Sequence, residues 1–378
     1  MRYTFVRKIL YVVIIITLAI ALIPQPSFAT GKVITDKITS AALKDNKLGD
    51  PNVRDMVIYL PPSYDSSDKK YPVIYLLHGF GGSARSYVDE VTEQVVVLLL
   101  DSLIEIKSIK EVIIVMPDGK NKYGGSFFHN SELTGNYEDY IAKELVSYID
   151  AQYRTMRSRD ACAIAGASMG GYGCITLAMK HADVYSSVAA LSPPLAFEIM
   201  INSVVPEIIK ENPNGMTGPN SKKQYSDYIY ALSAALSPNL DNPPFFVDLP
   251  FEYPTGKIIE PIKQKWLEGD PLSMVDKYSA SLKAMNGIYF DVGTKDLLGF
   301  KVAADEFHNK LLSIGIKDDD KHKYDVFEGG HADDGVRRAM DAITFLSNLL
   351  PDSEPSSVKP TSKLAYTWGA LKTIRKCE

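Results

Sequence analysis

The sequence predicts an α/β fold in which a mostly parallel central sheet is flanked by helices. Short apolar runs typical of buried strands alternate along the chain with stretches of helical periodicity. Proline and glycine turns end several of the runs, as PP does at 61–62 and PDG at 117–119. The composition, 46% hydrophobic and 23% charged, is typical of a globular protein.

The first half of the chain carries four predicted strands and two predicted helices. The strands are expected at residues 56–60, 71–77, 112–116 and 161–165, and the helices at 137–153 and 169–181. The second half adds strands at 188–191, 287–292 and 323–327, and helices at 301–314 and 336–350. Runs such as VIIVM indicate strands because β-branched residues suit a buried pleat. Apolar residues three and four positions apart indicate helices.

Two segments interrupt this alternation. Residues 195–270 are rich in aromatic residues and proline, and we interpret them as a lid-like insertion in a catalytic domain that spans 30–350. We expect this insertion to select the substrate through rigid aromatic contacts, with the alternative that its aromatic residues form a small core of their own. Residues 351–378 are expected to be a loosely attached tail.

The first 29 residues have the pattern of a secretory signal peptide. Arg2, Arg7 and Lys8 precede an apolar run at 9–23, and a small-residue site ends at Ala29. Cleavage there predicts a secreted, periplasmic or cell-surface protein with no stable membrane association. The alternative is a retained N-terminal anchor, although the run is shorter than the 20 or so residues of a membrane span.

The charge and the cysteines exclude several classes of protein. The net charge of −5 does not favour a nucleic-acid partner. Cys162, Cys174 and Cys377 are too few for a disulfide framework. We expect Cys162 and Cys174 to be small buried core residues, with a bridge between them as the alternative.

The segment Gly166-Ala167-Ser168-Met169-Gly170 fits the pattern G-x-S-x-G. A predicted strand precedes it and a glycine-rich helix follows, which is the context of a nucleophile elbow in an α/β-hydrolase fold. A side chain at either flanking glycine would collide with such a tight turn. We therefore predict that Ser168 is a catalytic nucleophile.

A second glycine-rich motif, His78-Gly79-Phe80-Gly81-Gly82, follows the strand predicted at 71–77. It matches the loop that supplies one donor of an oxyanion hole in this fold. We predict that the backbone N–H groups of Phe80 and Met169 form that hole. His78 is expected to orient the loop.

A serine nucleophile requires a general base and an acid, which follow it in chain order in this fold. That order excludes His78 and His129 as the base, and His181 lies too close to Ser168 in sequence. His308 is expected on an exposed helical position and His322 in a solvated turn, whereas His331 follows a strand in a loop at the carboxyl edge of the sheet.

Two carboxylates compete for the role of the acid. Asp291 falls within the strand predicted at 287–292, and Asp296 falls in the loop that follows it. The loop position is the usual place of the triad acid, so we prefer Asp296 to Asp291. No metal motif, phosphate loop or cofactor motif is found, and the run at 318–320 is expected to be a solvated acidic turn.

With these residues identified, the chain resembles the esterase D family of putative esterases, which includes feruloyl and acetyl-xylan esterases, S-formylglutathione hydrolases and antigen 85 mycolyltransferases. The resemblance is carried by YLPPSYD (59–65), YPVIYLLHGFGG (71–82), VMPDG (115–119), NYEDYIAKELVSYID (136–150), IAGASMGGYG (164–173), GTKD (293–296) and EGGH (328–331). It implies the same triad and oxyanion hole. The run GGSFFHNSELTGNYEDY (124–140) is most similar to the polysaccharide-esterase branch.

The functional expectation is carboxylic-ester hydrolysis through an acyl-enzyme, without a cofactor, on a small-molecule or polysaccharide ester. Acyl or feruloyl esters of polysaccharides are the substrates that the resemblance implies. Acyl transfer to a sugar or alcohol acceptor uses the same residues and is one alternative. A binding protein built on a hydrolase scaffold is the alternative from another class.

Overall fold

A computed structural model describes residues 29–319 and 321–354. Its main sheet has eight strands in the order β1-β2-β4-β3-β7-β8-β9-β10. These strands are β1 (Lys32–Thr39), β2 (Val53–Leu60), β3 (Val73–Leu77), β4 (Ile113–Pro117), β7 (Cys162–Ala167), β8 (Ser187–Leu191), β9 (Gly287–Gly293) and β10 (His322–Phe327). The six strands from β4 to β10 in this order pair in parallel. The strand β2 is antiparallel to both of its neighbours, β1 and β4. A small hairpin pairs β5 (Asn130–Ser131) with β6 (Gly135–Asn136).

Helices cover both faces of the main sheet. They are α1 (Glu93–Glu105), α2 (Tyr137–Asp139), α3 (Val146–Gln152), α4 (Met169–Lys180), α5 (Phe197–Glu211), α6 (Gln224–Leu236), α7 (Glu260–Glu268), α8 (Pro271–Met274), α9 (Ser279–Lys283), α10 (Phe300–Ser313) and α11 (Gly335–Leu349). A π-helical segment, Tyr140–Leu145, joins α2 to α3, and a short 3₁₀ turn, Arg159–Ala161, precedes β7. The predicted fold class, an α/β-hydrolase fold with a mostly parallel sheet, is confirmed.

The alternation of side chains along the strands divides the core into two layers. On β3, Tyr75 and Leu77 point into one layer, and Ile74 and Leu76 into the other. The first layer, which we call the insertion-side core, packs against α4 and the segment 195–270. The second, which we call the α1/α11-side core, packs against α1 and α11.

All the predicted strands and helices are present, with ends that differ by a few residues. The β5–β6 hairpin, the helices α5 to α9, the strand β1 and the helix α1 were not predicted. For β1 and α1 the reason lies in the pattern of the sequence. β1 is an edge strand with mostly exposed or half-buried residues, so it lacks the apolar run of a buried strand. α1 has the sequence EQVVVLLLDSLIE, which is apolar all round, so it lacks helical periodicity. Leu98 on its outer face is 60% exposed.

The segment 195–270 contains α5, α6 and α7, and hydrogen bonds join its two ends to each other. Asp270 accepts a hydrogen bond from the Phe197 N–H at 2.7 Å, and the Leu272 N–H donates to the Leu195 carbonyl at 2.9 Å. Trp266 is fully buried and belongs to the insertion-side core that also packs on the sheet. Trp266 therefore packs in a core that is continuous with the sheet, while the proposed role of the insertion in substrate selection stays a prediction.

Cys162 and Cys174 are both buried and both free. The interpretation as core residues is confirmed, and the alternative of a bridge between them is wrong. Burial raises the pKa of both thiols well above the usual range. Residues 1–28 of the predicted signal peptide lie outside the described residues. So do Cys377 and the tail beyond residue 354. Within the described part of the chain, no helix is long and apolar enough to cross a membrane.

Candidate active site

Ser168 lies in the turn between β7 and α4, with backbone angles φ 53° and ψ −115°. This conformation is unusual for a residue with a Cβ atom and marks a strained turn. The turn is held by a hydrogen bond from the Ser168 N–H to the Leu191 carbonyl of β8, at 2.8 Å. The carboxyl ends of two parallel strands therefore position this serine.

The two glycines of the motif are required by close backbone approaches. A Cβ atom on Gly166 would lie 2.4 Å from the carbonyl carbon of Gly170. A Cβ atom on Gly170 would lie 2.2 Å from the Leu77 carbonyl oxygen of β3. Both distances are shorter than any real contact, so the prediction that side chains would collide with this turn is confirmed.

His331 and Asp296 reach Ser168 from the loops that follow β10 and β9. The Nε2 atom of His331 lies 2.9 Å from Ser168 Oγ. Its Nδ1 atom lies 2.9 and 3.1 Å from the two carboxylate oxygens of Asp296. The structure thus brings together the three side chains that chain order and loop position selected.

The exposure of these groups differs in a way that suits proton transfer. The Asp296 side chain is 1% exposed, whereas that of His331 is 35% exposed. The carboxylate accepts a hydrogen bond from Nδ1–H, which leaves the Nε2 lone pair directed at the serine hydroxyl. Phe300 packs edge-on against the imidazole, with ring centroids 5.2 Å apart. The imidazole is therefore held on two sides.

Asp291, the alternative acid, has a different partner. It is 1% exposed and accepts hydrogen bonds from Arg338 Nε at 2.8 Å and Arg338 Nη2 at 2.6 Å. It also accepts one from the Ser192 N–H at 2.9 Å. Arg338 Nη1 in turn donates to the backbone carbonyl of His331 at 3.0 Å. Asp291 thus supports the histidine loop through Arg338 and does not contact the imidazole.

Arg338 was not predicted from the sequence. A signal for it was present, because position 338 shares one face of the last helix with Ala342 and Leu346, four and eight residues later. A buried guanidinium needs a carboxylate partner. Asp291, in a predicted buried strand, was a carboxylate for which no partner had been predicted. Arg337, the neighbouring residue, is exposed and pairs with Asp334 and Asp341.

The loop after β3 lies against the serine turn. A Cβ atom on Gly79 would be 3.6 Å from Ser168 Cβ. In the described part of the chain, no turn or loop hydrogen bond uses the N–H group of Phe80 or Met169. Met169 follows Ser168 in sequence, and Phe80 lines the same cavity as Ser168. Neither N–H group has a backbone acceptor among these turn and loop hydrogen bonds.

His78 is 1% exposed and orients this loop. The Gly119 N–H donates to its Nε2 atom at 2.9 Å, so Nδ1 carries the proton and donates to the Gly79 carbonyl at 2.8 Å. Two other histidines differ from the prediction. His322 was expected in a solvated turn but is 2% exposed at the start of β10, and His308 is half-buried on the neighbouring helix. The two rings are stacked, with their centroids 5.4 Å apart.

A cavity of about 560 Å³ opens at the triad. Ser168, His331 and Asp296 contribute to its lining, and most of its other lining residues are apolar. The insertion contributes Gln224, Tyr225 and Tyr228. Its position means that the segment 195–270 contacts the site, while its role as a substrate-selecting lid stays a prediction. Among the described residues no group of acidic, histidine and cysteine side chains could hold a metal ion.

Comparisons with known proteins place this geometry in a family. The family model described as "Putative esterase" matches residues 51–344. Two Mycobacterium tuberculosis proteins, Esterase Rv1288 and Esterase MT1326, are each 33% identical over 143 residues, which is 36% of this chain and 28% of the relative. The chain thus matches less than a third of the length of these two curated relatives.

Several solved structures share the fold. A ferulic acid esterase superposes with a TM-score of 0.59 at 22% identity, covering 85% of this chain and 99% of that one. The fluorophosphonate-binding serine hydrolase F of Staphylococcus aureus has a TM-score of 0.56 at 19% identity, covering 84% and 99%. An S-formylglutathione hydrolase from Agrobacterium tumefaciens also has a TM-score of 0.56, at 17% identity, covering 87% and 99%. At these identities the likeness shows the fold alone.

Proposed function

The chain belongs to the esterase family whose model matches residues 51–344, and from that premise we propose that it is a serine carboxylic-ester hydrolase. One observation supports this proposal most directly. The imidazole of His331 bridges Ser168 Oγ at 2.9 Å and the Asp296 carboxylate at 2.9 Å. A hydroxyl, an imidazole and a buried carboxylate in this order are the arrangement that activates a serine nucleophile.

The first half of the reaction forms an acyl-enzyme. His331 Nε2 takes the hydroxyl proton as Ser168 Oγ bonds to the ester carbonyl carbon. The bond from that carbon to the alkoxy oxygen then breaks, and His331 gives the proton to the departing alcohol. Asp296 keeps the proton of the imidazole on Nδ1 and stabilises the imidazolium between these two steps.

The second half releases the acid. Water gives a proton to His331 Nε2 and its oxygen bonds to the acyl carbon. The bond to Ser168 Oγ then breaks, and the proton returns to the serine. In both halves negative charge develops on the former carbonyl oxygen, and the N–H groups of Phe80 and Met169 are the proposed donors to it. Loss of one such donor typically costs about 3 to 4 kcal/mol of transition-state stabilisation.

The test is covalent labelling with a fluorophosphonate probe, combined with hydrolysis of p-nitrophenyl acetate. The wild type should react with the probe, and Ser168→Ala should lose both labelling and hydrolysis, with kcat lower by about 10⁴ or more. Ser313→Ala, at an exposed serine at the end of α10, is the matched control and should behave as the wild type. Equal hydrolysis by a folded Ser168→Ala variant would refute the proposal.

For the alcohol half of the substrate we propose a carbohydrate. The support is the resemblance of residues 124–140 to the polysaccharide-esterase branch, together with Tyr225 in the cavity lining, whose ring offers a rigid apolar surface to a sugar face. The measurement is acid released from acetylated and feruloylated xylan, compared with simple alkyl esters of the same acids. If both simple esters are turned over at least as efficiently as their xylan counterparts, the carbohydrate proposal is wrong.

We also propose that the protein is exported after cleavage near Ala29. The support is the sequence of basic residues, apolar run and small-residue site at the N-terminus. N-terminal sequencing of the native protein should find a chain that begins near Thr30. A native chain that retains Met1 would favour the anchor alternative.

A further inference from the structure

The cavity at the triad extends away from the insertion into the α1/α11-side core. Leu76 of β3, Ile114 and Met116 of β4, and Leu191 of β8 form its floor on the sheet. Val96 and Leu100 of α1, with Ala339 and Ile343 of α11, cover it from above. Ser168 and His331 lie in the same lining. A substrate carbonyl at Ser168 therefore has an apolar space beside it, under two helices.

The cavity reaches as far as Tyr59 of β2. Sheet order places β2 three strands away from β7, which carries the serine turn. Three strand spacings correspond to about 14 Å. A carbon–carbon bond of about 1.5 Å advances an extended alkyl chain by about 1.3 Å, so this distance accommodates about 11 carbons.

The volume agrees with this length. A methylene group occupies roughly the volume of a water molecule, about 30 Å³ in the liquid. A cavity of about 560 Å³ therefore exceeds what an acetyl group needs and contains enough space for a chain of about a dozen carbons, with space left around Ser168.

Ser86, Asp89 and Thr92 line the cavity at exposed positions, whereas the buried or half-buried polar side chains on this side already have partners. The Tyr59 hydroxyl donates to Asp101 at 2.7 Å, and the Tyr87 hydroxyl donates to the Leu77 carbonyl at 3.1 Å. Arg338 is bound to Asp291. A phenolic or hydroxylated acyl group would lose its hydration here without gaining a hydrogen bond, which is unfavourable. An aliphatic chain has no hydrogen bonds to water to lose, and it gains free energy by burying its apolar surface.

We infer that this cavity binds the acyl half of the substrate, and that the acyl group is a linear aliphatic chain of about eight to twelve carbons. The inference rests on the proposed ester hydrolysis at Ser168 and specifies its substrate class. The chain extends from the carbonyl carbon at Ser168, between α1 and α11, toward Tyr59. The alcohol half leaves on the side of the insertion.

The first test is a series of p-nitrophenyl esters from acetate to hexadecanoate, with methyl ferulate alongside. Each buried methylene favours the longer ester by up to about fourfold in kcat/KM. We expect kcat/KM to rise from acetate to a maximum between octanoate and dodecanoate and to fall beyond it. A maximum at acetate, or a higher kcat/KM for methyl ferulate than for any alkanoate, would overturn the inference and leave the hydrolase proposal intact.

The second test fills the cavity from α1. Leu100 is 2% exposed and lines the cavity, whereas Leu98, on the same helix, is 60% exposed and does not. Leu100→Trp should lower kcat/KM for dodecanoate at least tenfold more than for acetate, and Leu98→Trp should leave the ratio of the two unchanged. If Leu100→Trp does not fold, Val96→Phe provides the same obstruction one turn earlier. An unchanged ratio in a folded cavity-filling variant contradicts the inference.

A binding measurement separates the cavity from the chemistry. Dodecanoic acid should bind to Ser168→Ala in titration calorimetry, and Leu100→Trp in that background should weaken binding at least tenfold. If Ser168→Ala does not bind dodecanoic acid while the wild type hydrolyses p-nitrophenyl acetate, the chain-binding inference alone is refuted. Binding by a protein whose Ser168 is inert to fluorophosphonate and to every ester would refute the hydrolase and keep the cavity as a chain site.

Discussion

The two aspartates near the histidine loop offer a direct test of how the site works. Asp296→Asn and Asp291→Asn are the same chemical change, made five residues apart on one strand and its loop. Asp296 contacts the imidazole of His331, whereas Asp291 contacts Arg338. We therefore expect the first variant to lose catalysis and the second to lose stability.

The magnitudes follow from the contacts. An asparagine at 296 can donate its amide hydrogen to Nδ1 of His331, which moves the imidazole proton to Nε2 and prevents Nε2 from accepting the serine proton. Such a change typically lowers kcat by about 10⁴. A hydrogen bond to the carboxylate is exchanged for a hydrogen bond from the amide, so the free energy of unfolding should change by less than about 1.5 kcal/mol.

An asparagine at 291 leaves the triad untouched but removes the charge opposite Arg338, whose side chain is 4% exposed. Breaking a buried pair by removing one partner costs about 3 to 5 kcal/mol of stability. Because Arg338 Nη1 still reaches the His331 carbonyl, we expect kcat to stay within about tenfold of the wild type.

The assay is urea denaturation of each variant together with kcat on p-nitrophenyl acetate, measured well below the unfolding midpoint. Arg338→Met is the accompanying variant, because it removes both the ion pair and the donor to the His331 carbonyl. It should lose stability and also lower kcat by about tenfold. A folded Asp291→Asn with a 10³-fold loss of kcat, beside an Asp296→Asn of nearly normal activity, would refute this assignment of roles.

The other two predictions concern the serine turn and acid stability. Gly170→Ala should unfold more easily by about 1 to 3 kcal/mol and lose fluorophosphonate labelling, because the new Cβ would meet the Leu77 carbonyl, whereas Gly335→Ala, with open space around it, should retain both properties. Burial would raise the pKa of Glu138, but hydrogen bonds from His181 and Lys180 outweigh burial and lower this pKa to about 2. Since the folded pKa lies below the unfolded value, the stabilisation is complete above about pH 4.5 and is lost as pH falls toward 2. Glu138→Gln should therefore unfold at lower urea than the wild type at pH 6, and the difference should shrink at pH 3; a constant difference would contradict this reasoning.

The sequence was sufficient for features that depend on neighbours along the chain. The strand before Ser168, the glycine-rich turn and the helix after it are one continuous segment, so their pattern predicted the serine turn and its two required glycines. Asp296 and His331 were selected by chain order and by their place in loops after strands. Parallel strands bring those loops to one edge, which is why local patterns indicated residues that are 128 and 163 positions from Ser168 along the chain.

Features that break the periodic pattern were harder to predict. β1 lies at the edge of the sheet with little buried surface, and α1 is apolar on both faces, so neither shows the alternation by which strands and helices are recognised. His322 illustrates the same limit. Its neighbours in sequence are charged, which indicated a solvated turn, yet it begins β10 and packs against His308 of α10.

Only the tertiary structure determined what surrounds the triad. Arg338 joins Asp291, Ser192 and the His331 carbonyl, and Ser192 and Arg338 are 146 positions apart in the chain. The cavity is enclosed by α1, five strands and α11, none of which indicates a cavity by itself. A sequence pattern shows which side of an element is buried. What that side meets, and whether space remains there, depends on how distant elements pack, and this is why the sequence predicted the reacting residues while the structure was needed to infer the acyl group.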